Sequence, residues 1–231
     1  MPGTMIEFAR NGVSYEGYLS LPESGSGPAV VVLQEWWGLV PHIKDIADRF
    51  AAAGFVALAP DLYGGEIATE PEAAGKLMMA LNIAETEKAL SKAVEALFAH
   101  EAVSSSKVGV IGFCMGGQLA LFAATVNEKV GAAADFYGIH PAVKPDFSKL
   151  QGPVLGVFAE HDQYAGAVAV AALSAELDQA GKPHEFHTYP GTNHAFFNDA
   201  RPAVYNAEAA ADAWAKTLAF FKANLPEDRK L

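Results

Sequence analysis

Val108-Gly109-Val110-Ile111-Gly112-Phe113-Cys114-Met115-Gly116-Gly117-Gln118-Leu119-Ala120-Leu121 reads as a short apolar strand, a sharp turn and the start of a helix, with a cysteine at the apex. A Gly-x-nucleophile-x-Gly turn needs small residues two positions either side of its centre, because the central backbone is strained and packs closely on the flanking strand and helix. The helix that follows aims its N-terminal amides at the apex, which favours a thiolate and the oxyanion of an acyl-transfer intermediate. Two readings of Cys114 compete. One is a nucleophile; the other is an inert cysteine buried in a strand-turn-helix joint, since free Cys is among the most buried residue types.

Outward from this stretch, strand-like runs occur at Thr4 to Phe8, Val13 to Leu19, Ala29 to Leu33, Phe55 to Ala59, Ala132 to Tyr137, Val154 to Phe158 and Glu185 to Tyr189. Apolar residues at helical spacing mark segments between them: Leu90, Val94, Leu97 and Phe98 in one long stretch from Pro71 to His100, and Trp214, Leu218 and Phe221 near the C-terminus. These stripes are faces turned to a core. The first two strands, separated by Asn11-Gly12, read as a hairpin, and the later strands alternate with helices. That order predicts a three-layer α/β fold: a mostly parallel sheet with an N-terminal antiparallel hairpin, covered on both faces. Ligands in such sheets bind beyond the carboxyl ends of the strands, where Gln34-Glu35, Cys114, Glu160-His161-Asp162 and Thr192-Asn193-His194 all fall.

The 231 residues are 51% hydrophobic and 19% charged, without a low-complexity block or Pro/Ser-rich linker, which suits one domain over residues 1–231. Sixteen basic against 27 acidic residues leave a formal net charge of -11. That field repels nucleic acid and anionic membrane surfaces, so neither is an expected partner, and an anionic substrate needs a local cation to hold it. With one cysteine no intramolecular disulfide can form, and Met1-Pro2-Gly3-Thr4 lacks a basic region followed by an apolar run; both point to a reducing cytoplasm. No segment approaches the ~20 apolar residues of a membrane span.

A thiol nucleophile needs a base, and the base an orienting partner. In the α/β-hydrolase architecture the chain order is nucleophile, acid, histidine, the last two on loops after late strands. Asp162 follows the strand Val154 to Phe158, and His194 follows Glu185 to Tyr189 in the turn-rich Pro190-Gly191-Thr192-Asn193. Asp162 also reads as a helix N-cap, with Glu160 the substitute acid, and His194 as a surface-loop histidine. His184 and His187 stand three apart on a strand, facing opposite sides, and make a poor metal pair; His42, His100, His140 and His161 have no matching ligand spacing. No phosphate loop, dinucleotide fingerprint or zinc motif is present. The strand Ala29 to Leu33 runs into Gln34-Glu35-Trp36-Trp37-Gly38, where this architecture supplies its second oxyanion-hole amide. The Trp36 and Met115 N–H groups are the candidate donors, each typically worth roughly 10²–10³ in rate. Glu35, at the inner end of a central strand, is costly to bury unless it is hydrogen-bonded or has a protonation role. Trp37, with Phe196 or Tyr137, is a candidate apolar wall of the site.

Together these residues resemble the dienelactone hydrolase family, the carboxymethylenebutenolidase-like branch of the α/β-hydrolases. The matching segments are Gln34-Glu35-x-x-Gly38, Pro60-Asp61-Leu62-Tyr63, Lys107-Val108-Gly109 leading into Gly112-Phe113-Cys114-Met115-Gly116-Gly117, the Asp162 loop, and Gly191-x-x-His194-x-Phe196. The resemblance implies an α/β-hydrolase domain without a lid, in keeping with the short stretch between Tyr137 and Val154. It implies that Cys114 attacks the carbonyl of an unsaturated lactone, forming a thioester and releasing an enolate, and that water activated by His194 completes hydrolysis. Glu35 would hold the resting thiol and take its proton. The resemblance implies no metal and no organic cofactor.

Family members active on the muconate-type dienelactone grip its free carboxylate with arginines, one in the helix-rich segment before the elbow and one four residues beyond the histidine. This chain has Asn198 at the second position and no arginine from Thr69 to His100, where Lys76 is the nearest basic residue. Its arginines are Arg10, Arg49, Arg201 and Arg229, which leaves Lys76 and Arg201 as candidates to hold a carboxylate. Losing a charge-assisted contact costs about 1.5–3 kcal/mol. The expected activity is cysteine-dependent hydrolysis of a small lactone or ester. The rivals are a carboxylesterase or thioesterase without lactone preference, and a thiol-sensing module that keeps only the fold.

Overall fold

A computed structural model of the chain describes residues 2–8 and 14–229; the Asn11-Gly12 turn lies outside the described residues. The strands are β1 (Thr4–Phe8), β2 (Tyr15–Ser20), β3 (Gly27–Leu33), β4 (Val56–Pro60), β5 (Val103–Phe113), β6 (Val130–Phe136), β7 (Val154–His161) and β8 (His184–Asn193). The helices are α1 (Pro41–Ala52), α2 (Pro71–Ala80), α3 (Ile83–Phe98), α4 (Met115–Val126), α5 (Ala167–Gln179) and α6 (Ala207–Asn224). The strands form one sheet in the order β1-β2-β4-β3-β5-β6-β7-β8. β2 pairs antiparallel with β1 and with β4, and the remaining neighbours are parallel. The expected antiparallel start and parallel body are both present.

The central strand explains the layering. β3 is buried along its whole length, and its residues alternate between two cores. Val30 and Val32 pack with Ile43, Ile46 and Phe50 of α1 and Phe221 of α6, whereas Ala29, Val31 and Leu33 pack with Leu90, Val94 and Leu97 of α3 and Leu119 of α4. Phe50 ties the first layer together, edge-on to Phe55 at 5.6 Å and to Trp214 at 4.6 Å. Burying such a ring contributes roughly 1.5–3 kcal/mol. No helix among the described residues is long and apolar enough to cross a membrane.

The structure refines two stretches. The stretch from Pro71 to His100 is two helices, because the Asn82 side chain accepts from the Ala84 and Glu85 amides and starts a new helix rather than continuing the old one. β8 runs on through Pro190-Gly191-Thr192 to Asn193, with an irregularity in its pairing to β7 opposite Ala159 and His161. A turn-rich composition there takes the form of a bulged strand end, which re-aims the residues that follow.

The sheet order places the site. β4 lies on one side of β3 and β5 on the other, so the chain reverses direction across the sheet between β3 and β5. A crevice opens beyond the carboxyl ends of strands at such a switch. Leu33 pairs with Gly112, so Gln34-Glu35-Trp36 and Phe113-Cys114-Met115 leave the sheet side by side.

Candidate active site

Cys114 is the hinge between β5 and α4. Its backbone has φ 54° and ψ -120°, a left-handed conformation that costs a non-glycine residue on the order of 1–3 kcal/mol. The flanking glycines permit it. A Cβ on Gly112 would overlap the Gly116 carbonyl, and one on Gly116 would come within 2.5 Å of the Gln34 oxygen. The turn is held by the Cys114 N–H, which donates to the Phe136 oxygen at 2.9 Å, and by the Cys114 carbonyl, which accepts from Gly117 and Ile139. The other non-glycine residues at positive φ among the described residues are Tyr137 and Ala195, and both border the same site.

The pairing of β7 with β8 brings acid and histidine together. His161 lies opposite Asn193, so the next residue of each chain, Asp162 and His194, can meet. The His194 Nδ1 is 2.7 Å from Asp162 Oδ2, and the other carboxylate oxygen accepts from the Tyr164 and Ala165 amides. Burial works against the Asp162 charge, but the His194 bond and these two amides hold its carboxyl below the ordinary range. Gly166, not Asp162, is the N-cap of α5. Glu160 is exposed and accepts from the Gly191 amide, with no bond to His194. His194 and Cys114 line the same cavity, and with Nδ1 engaged by Asp162 the other nitrogen of the ring is left for chemistry.

Glu35 is 1% exposed. One of its oxygens accepts from Asn198 Nδ2 at 2.7 Å, and the other is buried without a hydrogen-bond partner. Burial raises the Glu35 carboxyl, against the stabilising influence of His42, Asn198, His194 and Arg201. The same burial, followed by the negative charge of Glu35, pushes the Cys114 thiol up to about 12. Opposing that shift, the Met115 and Trp36 backbone N–H groups favour the thiolate. Both candidate oxyanion-hole residues therefore lie at the Cys114 elbow.

Gln34 and the Asp61 turn brace this corner. Gln34 Oε1 accepts from the Leu62 amide, and Asp61 accepts from the Tyr63 and Gly65 amides. The Tyr63 hydroxyl then donates to Met115 Sδ at 3.2 Å, at the first residue of α4.

A cavity of about 510 Å³ opens over the group, lined by Cys114, His194 and Glu35 together with Trp36, Trp37, Met78 and Arg201 among others. The Arg201 guanidinium lies 5.4 Å from the centre of the Trp37 ring. Two expected wall or binding residues are elsewhere. Phe196 is fully buried between Tyr137 and Tyr189, at 5.8 and 5.1 Å, and belongs to the core rather than the cavity wall. Lys76 is exposed on α2, pairs with Glu72 at 2.7 Å and is not among the lining residues, because its position on the helix is on the solvent side. Tyr137 is likewise buried behind His194, 5.0 Å ring to ring, with its hydroxyl unpartnered. No cluster of three or more His, Cys, Asp or Glu that could hold a metal occurs among the described residues.

The sequence profile of the dienelactone hydrolase family matches residues 15–225. The chain belongs to the dienelactone hydrolase family. It is an α/β-hydrolase-fold enzyme that acts on ester or lactone bonds. It is 41% identical over 227 residues to Protein usf of Aquifex pyrophilus, covering 95% of this chain and 98% of that one. It is 36% identical over 230 residues to a protein of Aquifex aeolicus named "putative carboxymethylenebutenolidase", covering 96% and 99%. Among solved structures, that of a dienelactone hydrolase-like promiscuous phosphotriesterase from metagenomic libraries superposes with a TM-score of 0.85 at 26% identity, covering 97% of this chain and 98% of that one.

Within this family frame, several side chains at the site escape a reading of the sequence. Asn198 reads as a missing arginine, yet it is the hydrogen-bond partner of Glu35. His42 reads as a histidine without ligand spacing, yet its side chain is buried beside Glu35. Met78, Ile139, Pro141 and Tyr164 line the cavity from four separate segments and carry no local pattern. The one signal available for Asn198 was its spacing of four from His194.

Proposed function

We propose that the chain is a cysteine-dependent hydrolase that opens a small lactone or ester through a thioester acyl-enzyme, within a single α/β-hydrolase domain. The observation that carries this reading is the 2.7 Å bond between His194 and Asp162 at the edge of the cavity that Cys114 lines. At rest the thiol is neutral, since burial and Glu35 keep the proton on sulfur. On substrate binding the S–H proton passes to Glu35 and the sulfur turns from the Trp36 and Met115 amides to the carbonyl carbon. As the C–S bond forms, the carbonyl oxygen takes the position the sulfur has left, and the two N–H groups stabilise its charge. The ring C–O bond then breaks, giving a thioester and an enolate or alkoxide. His194, oriented by Asp162, takes a proton from water, and the resulting hydroxide attacks the thioester. The departing sulfur regains its proton from Glu35, and His194 gives its proton to the released oxygen.

The cavity volume falls in the range of roughly 300–1,000 Å³ typical of small-molecule sites, and its aliphatic wall of Met78, Ile139, Pro141 and Val204 suits a small apolar acyl group. Arg201 is the candidate to hold a substrate carboxylate, in place of the arginine that Asn198 replaces. A second reading, a carboxylesterase without dienelactone preference, draws support from that same Asn198, whose amide is already committed to Glu35. The free thiol suits a reducing compartment such as the cytoplasm.

The test is ring opening of a dienelactone by the native chain and by Cys114→Ala, with p-nitrophenyl acetate as a small neutral ester under the same conditions. Lactone opening abolished by the substitution supports the leading reading. Ester cleavage alone, equally dependent on Cys114, supports the second. Turnover of either substrate that survives the substitution overturns the nucleophile assignment.

A further inference from the structure

A second set of polar side chains lies near Glu35. His42 is the second residue of α1, and its side chain is 1% exposed. Its Nδ1 lies 3.0 Å from Asp199 Oδ1, whose side chain is 47% exposed. Asn198, immediately before Asp199, donates to Glu35 Oε2. Consecutive residues of one segment thus hold Glu35 and His42, and His42 is close enough to influence the charge of Glu35. Each presents one polar atom without a partner, Glu35 Oε1 and His42 Nε2. Buried polar atoms are rarely left unsatisfied, and one water between the imidazole nitrogen and the carboxylate oxygen would satisfy both. A protonated His42 is also the strongest influence favouring the ionised form of Glu35, ahead of Asn198, His194 and Arg201.

We propose that Asp199, His42 and Glu35 form a second carboxylate-imidazole row, in which His42 is the positioning residue that keeps Glu35 able to accept the Cys114 proton. The inference rests on the reading of Glu35 as that acceptor. A carboxyl group alone in this buried corner retains its own proton and cannot take another. A positive charge on His42 favours the ionised carboxylate of Glu35, and Asp199, 3.0 Å from Nδ1, fixes the ring. When the thiol reacts, the S–H bond breaks and an O–H bond forms on Glu35; the His42 charge is then balanced by Asp199 alone. The other titratable groups that face Glu35 are Cys114 at the elbow, His194 at the end of β8, Arg201 beyond it and the Tyr137 phenol after β6. Of these only Arg201 carries a fixed positive charge.

The test is the pH dependence of kcat and KM for p-nitrophenyl acetate hydrolysis by His42→Gln and Asp199→Asn, beside the native chain and Cys114→Ala, with thermal melts to check folding. For His42→Gln the expected result is a loss of kcat of about tenfold at pH 7 that shrinks above pH 9, with the acid limb moved to higher pH and KM unchanged. Asp199→Asn moves the limb in the same direction by less. Limbs coincident with the native profile, or a loss of equal factor at every pH, overturn the proposal. Asp199 is half exposed, so its variant decides the matter if His42→Gln does not fold. Hydrolysis that persists in Cys114→Ala overturns the Glu35 reading itself and the proposal with it, and is told apart from failure of the row because it appears without any change at His42 or Asp199.

Discussion

Iodoacetamide alkylation of Cys114 tests whether the site really holds its nucleophile in the neutral form. The thiol lies at about 12 against an ordinary 9.0, so at pH 8 its thiolate fraction is roughly 10⁻⁴ rather than 10⁻¹, a difference of about 4 kcal/mol. A more basic thiolate is also more nucleophilic, which recovers some 16- to 30-fold of that thousandfold deficit. Native Cys114 should therefore react roughly 30- to 60-fold more slowly at pH 8 than the same thiol in urea, before any further slowing from its burial. Because the chain has one cysteine, mass spectrometry reads a single site without ambiguity. The native rate should climb with pH up to pH 10 without levelling. Glu35→Gln supplies the second perturbation: it removes the carboxylate that raises the thiol, so at pH 8 it should speed alkylation at least about threefold while lowering turnover. A plateau in the native rate below pH 9, or native and unfolded chains reacting equally fast, would refute the reasoning; so would a Glu35→Gln variant slowed in both reactions.

Asp135, on β6, is fully buried, and although the Gly138 amide approaches it, neither oxygen makes a full hydrogen bond. Burial raises its carboxyl from 3.8 to about 7. Below pH 4 the group is protonated in both states; from there to pH 7 the unfolded chain ionises alone and stability falls, by roughly 4 kcal/mol in all, with no further change above. Asp135→Asn keeps the shape but adds amide hydrogens to satisfy, so it should recover about half of that at pH 8 and nothing at pH 4, measured by thermal melts; equal shifts at both pH values would contradict the account. Arg201→Gln should raise KM for an anionic lactone by roughly tenfold and leave a neutral ester within about twofold, as expected for one charge-assisted contact. Steady-state kinetics on the two substrates decide it, and an equal change in both would show that Arg201 supports the Trp37 wall rather than a carboxylate.

The sequence was most legible where local sterics and chain order act alone. Gly112 and Gly116 flank Cys114 because no side chain fits beside the facing carbonyls, a constraint visible as two glycines at fixed spacing. Asp162 and His194 could be chosen because each follows a late strand, although Glu160 stood as an alternative until the β7 and β8 pairing set Asp162, not Glu160, against the histidine. The apolar runs of β3 and β5 announced a buried parallel sheet, since strands covered on both faces have no polar side to show. The helical spacing of Leu90, Val94, Leu97 and Phe98 marks only the second of the two helices between Pro71 and His100, and the cap made by Asn82 divides it from the first.

What the sequence determined by itself is therefore the fold, the family and the residues that a fixed local geometry demands: the Cys114 elbow, the Gln34-Glu35 strand end, and an acid and a histidine in the required order. What only the tertiary structure decided is which side chains face one another across elements distant in the chain. Lys76 and Phe196 lie in plausible segments, but rotation about a helix axis turns one to solvent and packing on Tyr137 turns the other to the core. Arg201 reaches the cavity, Asn198 bonds Glu35, and His42 closes on Asp199 across 157 residues of chain. The physical reason is range: strain, turns and periodicity act within a few residues and leave a mark in the sequence. Burial, charge and hydrogen bonding at the site depend on the register of whole strands and helices, which no short stretch records.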